Sequence, residues 1–489
     1  MTTSASGVLV HQLHRLRDSL ILVGLTVAAV IVHGYHRGIE DMAVYLPAIK
    51  KIVTPALYPY DSNFFQLYTR WTVFHSFVAA TTQATHITLD WTIFLLQLAS
   101  VFLFLLGCFL VIQECVPGAA GQWAGVAFVA ALLTLPVTGT SLYLVDQHLA
   151  PRTIAGAFLL FAMVAVLKRQ PRVFLWVFLA GLMHPTLTAY GIVHLAVLAL
   201  PPIRARSTLL LSALPLSEST NPVWREVMSR RPSQYPLRWC WYEWLGVVGP
   251  LVLLLTYARV GRRKNMPVLE RVCERFVGST LVGVVVAIIV TTCFPSQTWA
   301  RLEPMRILHL TYVIFVLISG ALLGKYVLRG QWIRWLVLFL PIALVMCYVQ
   351  RQEFSGGRHI EWPGRASGNA WVEAFDWVRG NTPRNAFFAL DPQYMKMHGN
   401  DNHGFRGIAE RSMLADDVKD NSVVEVFPQL AYQWKLEVAA RKNWSSFGTG
   451  DFERLRKEFG VDWVILERPG VAGLPCPYGN NSVMVCRIP

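Results

Sequence analysis

Charge is scarce in this 489-residue chain. Asp, Glu, Lys and Arg together make up 15% of it, against about 25% in ordinary soluble domains. Hydrophobic residues fill 54%. So few charges cannot cover the surface of a soluble protein this long, which excludes a soluble enzyme, a disordered chain and a fibre. A polytopic α-helical membrane protein remains. Acidic residues are the scarcer sign, 30 against 44 Lys and Arg, for a formal charge of +14. In a membrane chain that excess is first a topology signal, because basic residues stay on the cytoplasmic side. No basic stripe with interleaved aromatics occurs, so the expected partner is the lipid bilayer and not nucleic acid. The sequence also lacks C-x-x-C and zinc spacings, internal repeats and low-complexity tracts. Of eight cysteines, Cys108, Cys115, Cys240, Cys273, Cys293 and Cys347 lie in or beside apolar runs and read as small helix- or lipid-facing residues.

Apolar runs of about 17–25 residues mark membrane spans. The first covers 20–35, behind His11, His14, Arg15 and Arg17. No A-x-A site follows it, so it reads as an uncleaved helix. A polar and aromatic first loop covers 37–90. Within it, 68–88 is half apolar, with Trp71, Phe74, His75 and Val78 at helical spacing. It reads as a helix lying in the membrane interface. Further runs occupy 91–113, 123–139, 152–167, 172–184, 186–200, 208–216, 240–257, 275–293, 305–323 and 332–348. The expectation is about 11 transmembrane helices in residues 1–350. With the N-terminus cytoplasmic, the basic clusters at 168–172, 204–206, 259–264 and 325–334 fall inside. Arg230-Arg231 is the exception and falls outside. An odd count puts the C-terminus outside.

Beyond residue 350 the composition turns mixed and polar. "NAWVEAFDWVRGNTP" and "DFERLRKEFG" read as helices; "NAFFAL", "VDWVILE" and "NSVMVCRI" read as strands. Residues 351–489 are thus expected to form a small extracytoplasmic α/β domain, long enough to bury a core. Cys476 and Cys486 flank a turn containing Pro477, Gly479, Asn480 and Asn481. On the outer side, where disulfides persist, they are expected to pair.

Ionisable residues at a membrane face need a reason. This topology gathers several on the outer side: Glu40 and Asp41 after the first span; Asp146, His148 and Arg152 in "GTSLYLVDQHLAPR"; His184 at the end of the fifth; Arg301, Glu303 and Arg306 in "QTWARLEPMR". Each has a bland reading. Glu40-Asp41 suits a solvated helix end, Asp146 a cap or a partner of Arg152, His184 a packed terminus, and Arg301 and Arg306 lipid headgroups. Their common side favours one site. A carboxylate there can take a proton from an acceptor hydroxyl. Arginines can hold a leaving phosphate through paired hydrogen bonds.

This arrangement resembles the GT-C glycosyltransferase superfamily. "EDMAVYLPAI…LYPYDSNFF" is similar to the first outer loop of bacterial GT-C-like proteins, and "GFRGIAERS", "CPYGN" and residues 365–489 are similar to their outer domain. The resemblance implies a bacterial inner-membrane enzyme that moves a sugar from a polyprenyl-phosphate donor to an acceptor protein, lipid or glycan. Asp41 would be the base, assisted by Glu40. Arg301, Arg306, Arg152 and His184 would bind substrate. "VTGTSLYLVDQHLAPR" falls where some members carry a second acidic, metal-binding motif. A divalent cation (Mg or Mn) on Asp146 and His148 is the corresponding expectation, with Asp-Gln-His standing in place of an acidic pair. Two other functions stay open. A transporter or flippase should show mid-membrane charges or a repeat. A non-catalytic assembly protein would keep the fold without the chemistry.

Overall fold

The computed structural model describes residues 3–201, 221–229, 231–292 and 300–489. Among the described residues, six helical segments are long and apolar enough to cross a membrane: Leu16–His33, Leu89–Cys115, Trp241–Arg263, Pro267–Thr292, Pro304–Leu328 and Trp332–Glu353. At 1.5 Å per residue, the 27 residues of Leu89–Cys115 span about 40 Å, more than the ~30 Å hydrocarbon layer.

Four other expected spans are apolar helices of shorter reach: Ala119–Ala131, Pro151–Leu167, Val173–Met183 and Pro185–Ala199. The 11 residues of Val173–Met183 extend only about 17 Å. The causes are local. After Ala131 the chain stays apolar but turns into a hairpin, Pro136–Val137 against Leu142–Tyr143. Pro185 divides the next pair by starting a new helix. Among the described residues, six helices of full membrane-spanning length and four shorter apolar ones stand where about eleven spans were expected. The segment 208–216 lies outside the described residues.

In the first loop, helix Phe74–Thr85 has 12 residues, about 18 Å and too short to cross. It buries Phe74, His75, Val78 and Ala79 on one side. Sequence reasoning missed the preceding helix, Met42–Val53, which is buried over most of its length.

That first loop is sewn to the C-terminal region through its backbone. Tyr35 N donates to His359 O (3.1 Å), Glu361 N to Tyr35 O (2.8 Å), Glu40 N to Asn402 O (3.2 Å) and Gly404 N to Gly38 O (3.0 Å). Helix Met42–Val53 lies so close that a Cβ on Gly404 would come within 2.4 Å of the Ala43 Cβ. Deeper in, buried Arg406 pairs with Asp61 of the loop and forks onto Asp420 (2.9 and 2.8 Å).

The C-terminal region holds a five-stranded sheet, in order Ser412–Met413, Phe387–Ala389, Trp463–Glu467, Val483–Arg487, Tyr478–Gly479. The first three strands run parallel and the last two pair antiparallel. Alternating side chains serve two cores. Phe388, Ile465 and Val485 pack with Trp371 and Phe375 of helix Ala370–Asn381. Phe387, Val464 and Leu466 pack with Phe452 and Leu455 of helix Thr449–Phe459. Cys476 and Cys486 are disulfide-bonded.

Candidate functional site

The two acidic residues after the first span are placed by backbone geometry. Glu40 adopts a left-handed conformation (φ 49°), which costs strain in a residue with a Cβ. Its N–H bond to Asn402 holds it there. Asp41 follows as the residue that starts helix Met42–Val53. The loop bearing Asp146 is tied from two sides. Gln97 Nε2 donates to Asp146 O (2.8 Å), and His309 Nε2 lies 3.0 Å from Leu144 O. Pro151 then starts the helix that carries Arg152 in its first turn.

These pieces meet. Arg152 forks onto Asp146, Nε to Oδ2 at 2.6 Å and Nη2 to Oδ1 at 2.5 Å, and donates through Nη1 to Asp41 Oδ2 at 2.5 Å. From the C-terminal region, Lys419 Nζ donates to Glu40 Oε2 (2.7 Å) and Asp41 Oδ1 (3.0 Å). Asp146 is buried, whereas the Glu40 and Asp41 side chains keep 29% and 32% of their surface exposed. Of the three carboxylates, only the first two are open to an incoming group. Burial works against the charge on Asp41, but Lys419, Arg152 and His148 outweigh it and hold its carboxyl well below the usual range. The Lys419 ammonium is correspondingly pushed up by Asp41 and Glu40, against the cost of its own burial.

Sequence reasoning missed Lys419. Its only local signal is the turn "DDVKD", in which Asp416 Oδ1 accepts from the backbone N–H groups of Val418 (2.8 Å) and Lys419 (2.6 Å). Nothing in that pattern says what the ammonium reaches.

The other expected site residues divide. Arg306 is within electrostatic reach of Asp41 and Arg152 and is paired with Glu303, three residues before it. Its Nε has no partner, and it borders a cavity of ≈ 10 Å³ with Gln234 and Thr140, about the size of one water. His184 is near the same charges, but its Nδ1 accepts from Leu187 N (3.1 Å) and caps helix Pro185–Ala199. Arg301 is half-buried and makes no ion pair among the described residues; only desolvation acts on it.

His148 is buried, and burial keeps its pKa below the ordinary histidine value despite Asp146 nearby. Neither of its ring nitrogens has a partner. It shares a cavity of ≈ 10 Å³ with His36, whose Nδ1 lies 3.7 Å from Glu361 Oε1. The expected cation on Asp146 and His148 meets a poor donor set. Both Asp146 oxygens are engaged by Arg152. Among the described residues, no three of His, Cys, Asp and Glu gather as a metal ion requires.

No family model and no curated protein matches the chain. Among solved structures it is similar to the archaeal oligosaccharyltransferase AglB from Archaeoglobus fulgidus, solved with an inhibitory peptide and a dolichol-phosphate. Identity is 10% and the TM-score 0.41, over 93% of this chain and 70% of that one. It is also similar to the crystal structure of the Archaeoglobus fulgidus oligosaccharyltransferase complex with Zn and sulfate. There, identity is 12% and the TM-score 0.38, over 91% and 68%. Likeness this remote assigns no residue and no reaction to the chain.

Proposed function

We propose that the protein is a multi-pass membrane glycosyltransferase. It moves a sugar from a polyprenyl-phosphate donor to an acceptor hydroxyl or amide on the outer face of a bacterial inner membrane. The observation that carries this reading is the accessible Asp41 carboxylate. It is gripped by Arg152 and Lys419, lies within reach of Arg306, and sits where the helical region meets the C-terminal region. In the reaction the acceptor atom bonds to the anomeric carbon of the sugar. The carbon–oxygen bond to phosphate breaks, and the phosphate leaves with the electron pair. Asp41 receives the acceptor's proton. A carboxylate held well below its usual pKa is a weak base. It therefore takes the proton late, once the acceptor has begun to bond and its proton has become acidic.

Glu40 shares Lys419 with Asp41 and so keeps the ammonium over the pair. Arg306 and Arg152 supply the positive field for the leaving phosphate. His184, a helix cap, and Arg301, which makes no ion pair among the described residues, have no part in the proposal. The Lys and Arg distribution supports a cytoplasmic N-terminus and an outer C-terminal region, as does the Cys476–Cys486 disulfide.

The test is Asp41→Asn, assayed by release of labelled sugar from polyprenyl phosphate by purified protein. Loss of general-base help predicts a fall of about 10²–10⁴-fold in protein that circular dichroism shows to be folded, although losing the ion pairs to Arg152 and Lys419 lowers its melting temperature. Activity within a few-fold of the parent would remove Asp41 from the mechanism.

A further inference from the structure

Three carboxylates, Glu40, Asp41 and Asp146, share two cations here, and how fully their oxygens are occupied decides whether a metal ion can enter. The six carboxylate oxygens of Glu40, Asp41 and Asp146 are almost fully committed to side chains of the protein. Arg152 takes both oxygens of Asp146 and one of Asp41; Lys419 takes the other oxygen of Asp41 and one of Glu40. Only Glu40 Oε1 has no such bond. A magnesium or manganese ion needs about six ligands in near-octahedral order at ~2.0–2.1 Å. Glu40 Oε1 and the His148 ring nitrogens could not supply that set unless Arg152 or Lys419 withdrew.

Neither cation is loosely held. The Arg152 side chain is 10% exposed and that of Lys419 14%. Arg152 sits in the first turn of a helix begun by Pro151, behind a loop fixed by Gln97 and His309. Its guanidinium makes a planar fork on Asp146, the geometry in which arginine binds a carboxylate best, and it cannot be deprotonated. Lys419 is presented by a turn that Asp416 closes. Together the two side chains carry two positive charges, the charge of a divalent ion, attached covalently to the chain.

We propose that Arg152 and Lys419 occupy the role of the divalent cation, so that this centre excludes Mg²⁺ and Mn²⁺ and works without them. The inference rests on the glycosyl-transfer reading only for what the cations act upon. Arg152 uses three of its five N–H groups on Asp41 and Asp146, which leaves two to donate to phosphate oxygens of the donor. Hydrogen bonds from a fixed guanidinium then replace metal coordination. The site needs no ion to be loaded before substrate binds.

Manganese binding tests this without turnover. The full-length protein in detergent is titrated with Mn²⁺, and the free ion is followed by electron paramagnetic resonance. The parent should take up no Mn²⁺ at the centre. Arg152→Gln frees Asp146 and one oxygen of Asp41, and should gain a site at least tenfold tighter than any binding in the parent. That gained site should vanish when Asp146→Asn is added. Circular dichroism and melting establish that each variant is folded, and Arg152→Lys serves as a second variant that keeps the charge but loses the fork. Uptake of Mn²⁺ by the parent that Asp146→Asn abolishes would overturn the proposal. So would a folded Arg152→Gln protein that still binds none. Because neither arm measures sugar transfer, a failure of the glycosyltransferase reading leaves the outcome intact. If transfer is observed, chelation with EDTA should leave its rate within a few-fold.

Discussion

Replacing Lys419 by methionine keeps the aliphatic stem and deletes the ammonium that joins the C-terminal region to Glu40 and Asp41. Two unit charges 3.0 Å apart attract by about 5–6 kcal/mol at an effective dielectric of ~20. That gross figure is reduced because both carboxylates remain about 30% exposed. Breaking a fully buried pair costs about 3–5 kcal/mol and an exposed one about 0.2–1. Lys419→Met should therefore cost about 1–3 kcal/mol. The pH dependence carries the sign. The Asp41 carboxyl is held down in the fold, so its contribution is present above the unfolded value of ~3.9. It is lost as pH falls through the lower folded value. Without Lys419 the folded value rises and the loss begins at higher pH. Melting temperatures scanned from pH 8 down to about pH 2 should show a gap between parent and variant that holds down to about pH 4 and closes only below it, as the carboxylates protonate. A cycle with Asp41→Asn should be non-additive by about 1 kcal/mol or more. Additivity within ~0.5 kcal/mol, or a gap independent of pH, would refute the reasoning.

Glu425 offers a pH effect of opposite slope. Burial and the neighbouring Glu303 push its carboxyl up to about 8, against Arg231 and Arg306. A raised acid binds its proton in the fold, so stability falls as pH rises from the unfolded value of ~4.3 towards 8 and then levels off. Glu425→Gln, which mimics the protonated acid, should melt near the parent at pH 5 and above it at pH 8.5; an unchanged pH slope would show that Glu425 is ionised in the fold. Gly404→Ala sets a Cβ within 2.4 Å of Ala43 and should cost about 1–3 kcal/mol by overpacking. Faster proteolysis of the C-terminal region should accompany it, and a parental melting curve with unaltered cleavage would sink the close-approach argument.

The long apolar runs were readable because membrane-length hydrophobicity is a local property. Leu89–Cys115 and Trp332–Glu353 contain their expected spans. The shorter helices misled for the same reason: at 132–137 the chain stays apolar while its backbone leaves the helix, and composition does not register that change. Strands Phe387–Ala389, Trp463–Glu467 and Val483–Arg487 fall where turn residues bracketed apolar runs. Helix Met42–Val53 was invisible as a buried element, because Pro47 and the Lys50-Lys51 pair make it look like loop, and its burial depends on Gly404 and Gly407 far along the chain. Within the site, Asp41, Asp146, Arg152 and Arg306 could be grouped only by the side of the membrane on which the expected topology put them. Lys419 could not, since its role exists only across the fold. His184, grouped with them by the same expectation, is used as a cap of helix Pro185–Ala199.

The distance along the chain between Glu40 and Lys419 is 379 residues. Translation at ~5–20 residues per second takes about 20–75 s to cover that interval. Throughout it the nascent protein holds Glu40 and Asp41 side by side at the membrane surface without their ammonium partner. Tyr35 likewise waits for its backbone partners at 359–361, and Gly38 and Glu40 wait for theirs at 402–404. The centre is thus completed only once residue 419 has emerged. A chain that stops short of it keeps Arg152 on Asp41 but lacks the ammonium that ties the acidic pair to the C-terminal region. Synthesis itself acts as a timer that delays assembly of the centre until the C-terminal region is present.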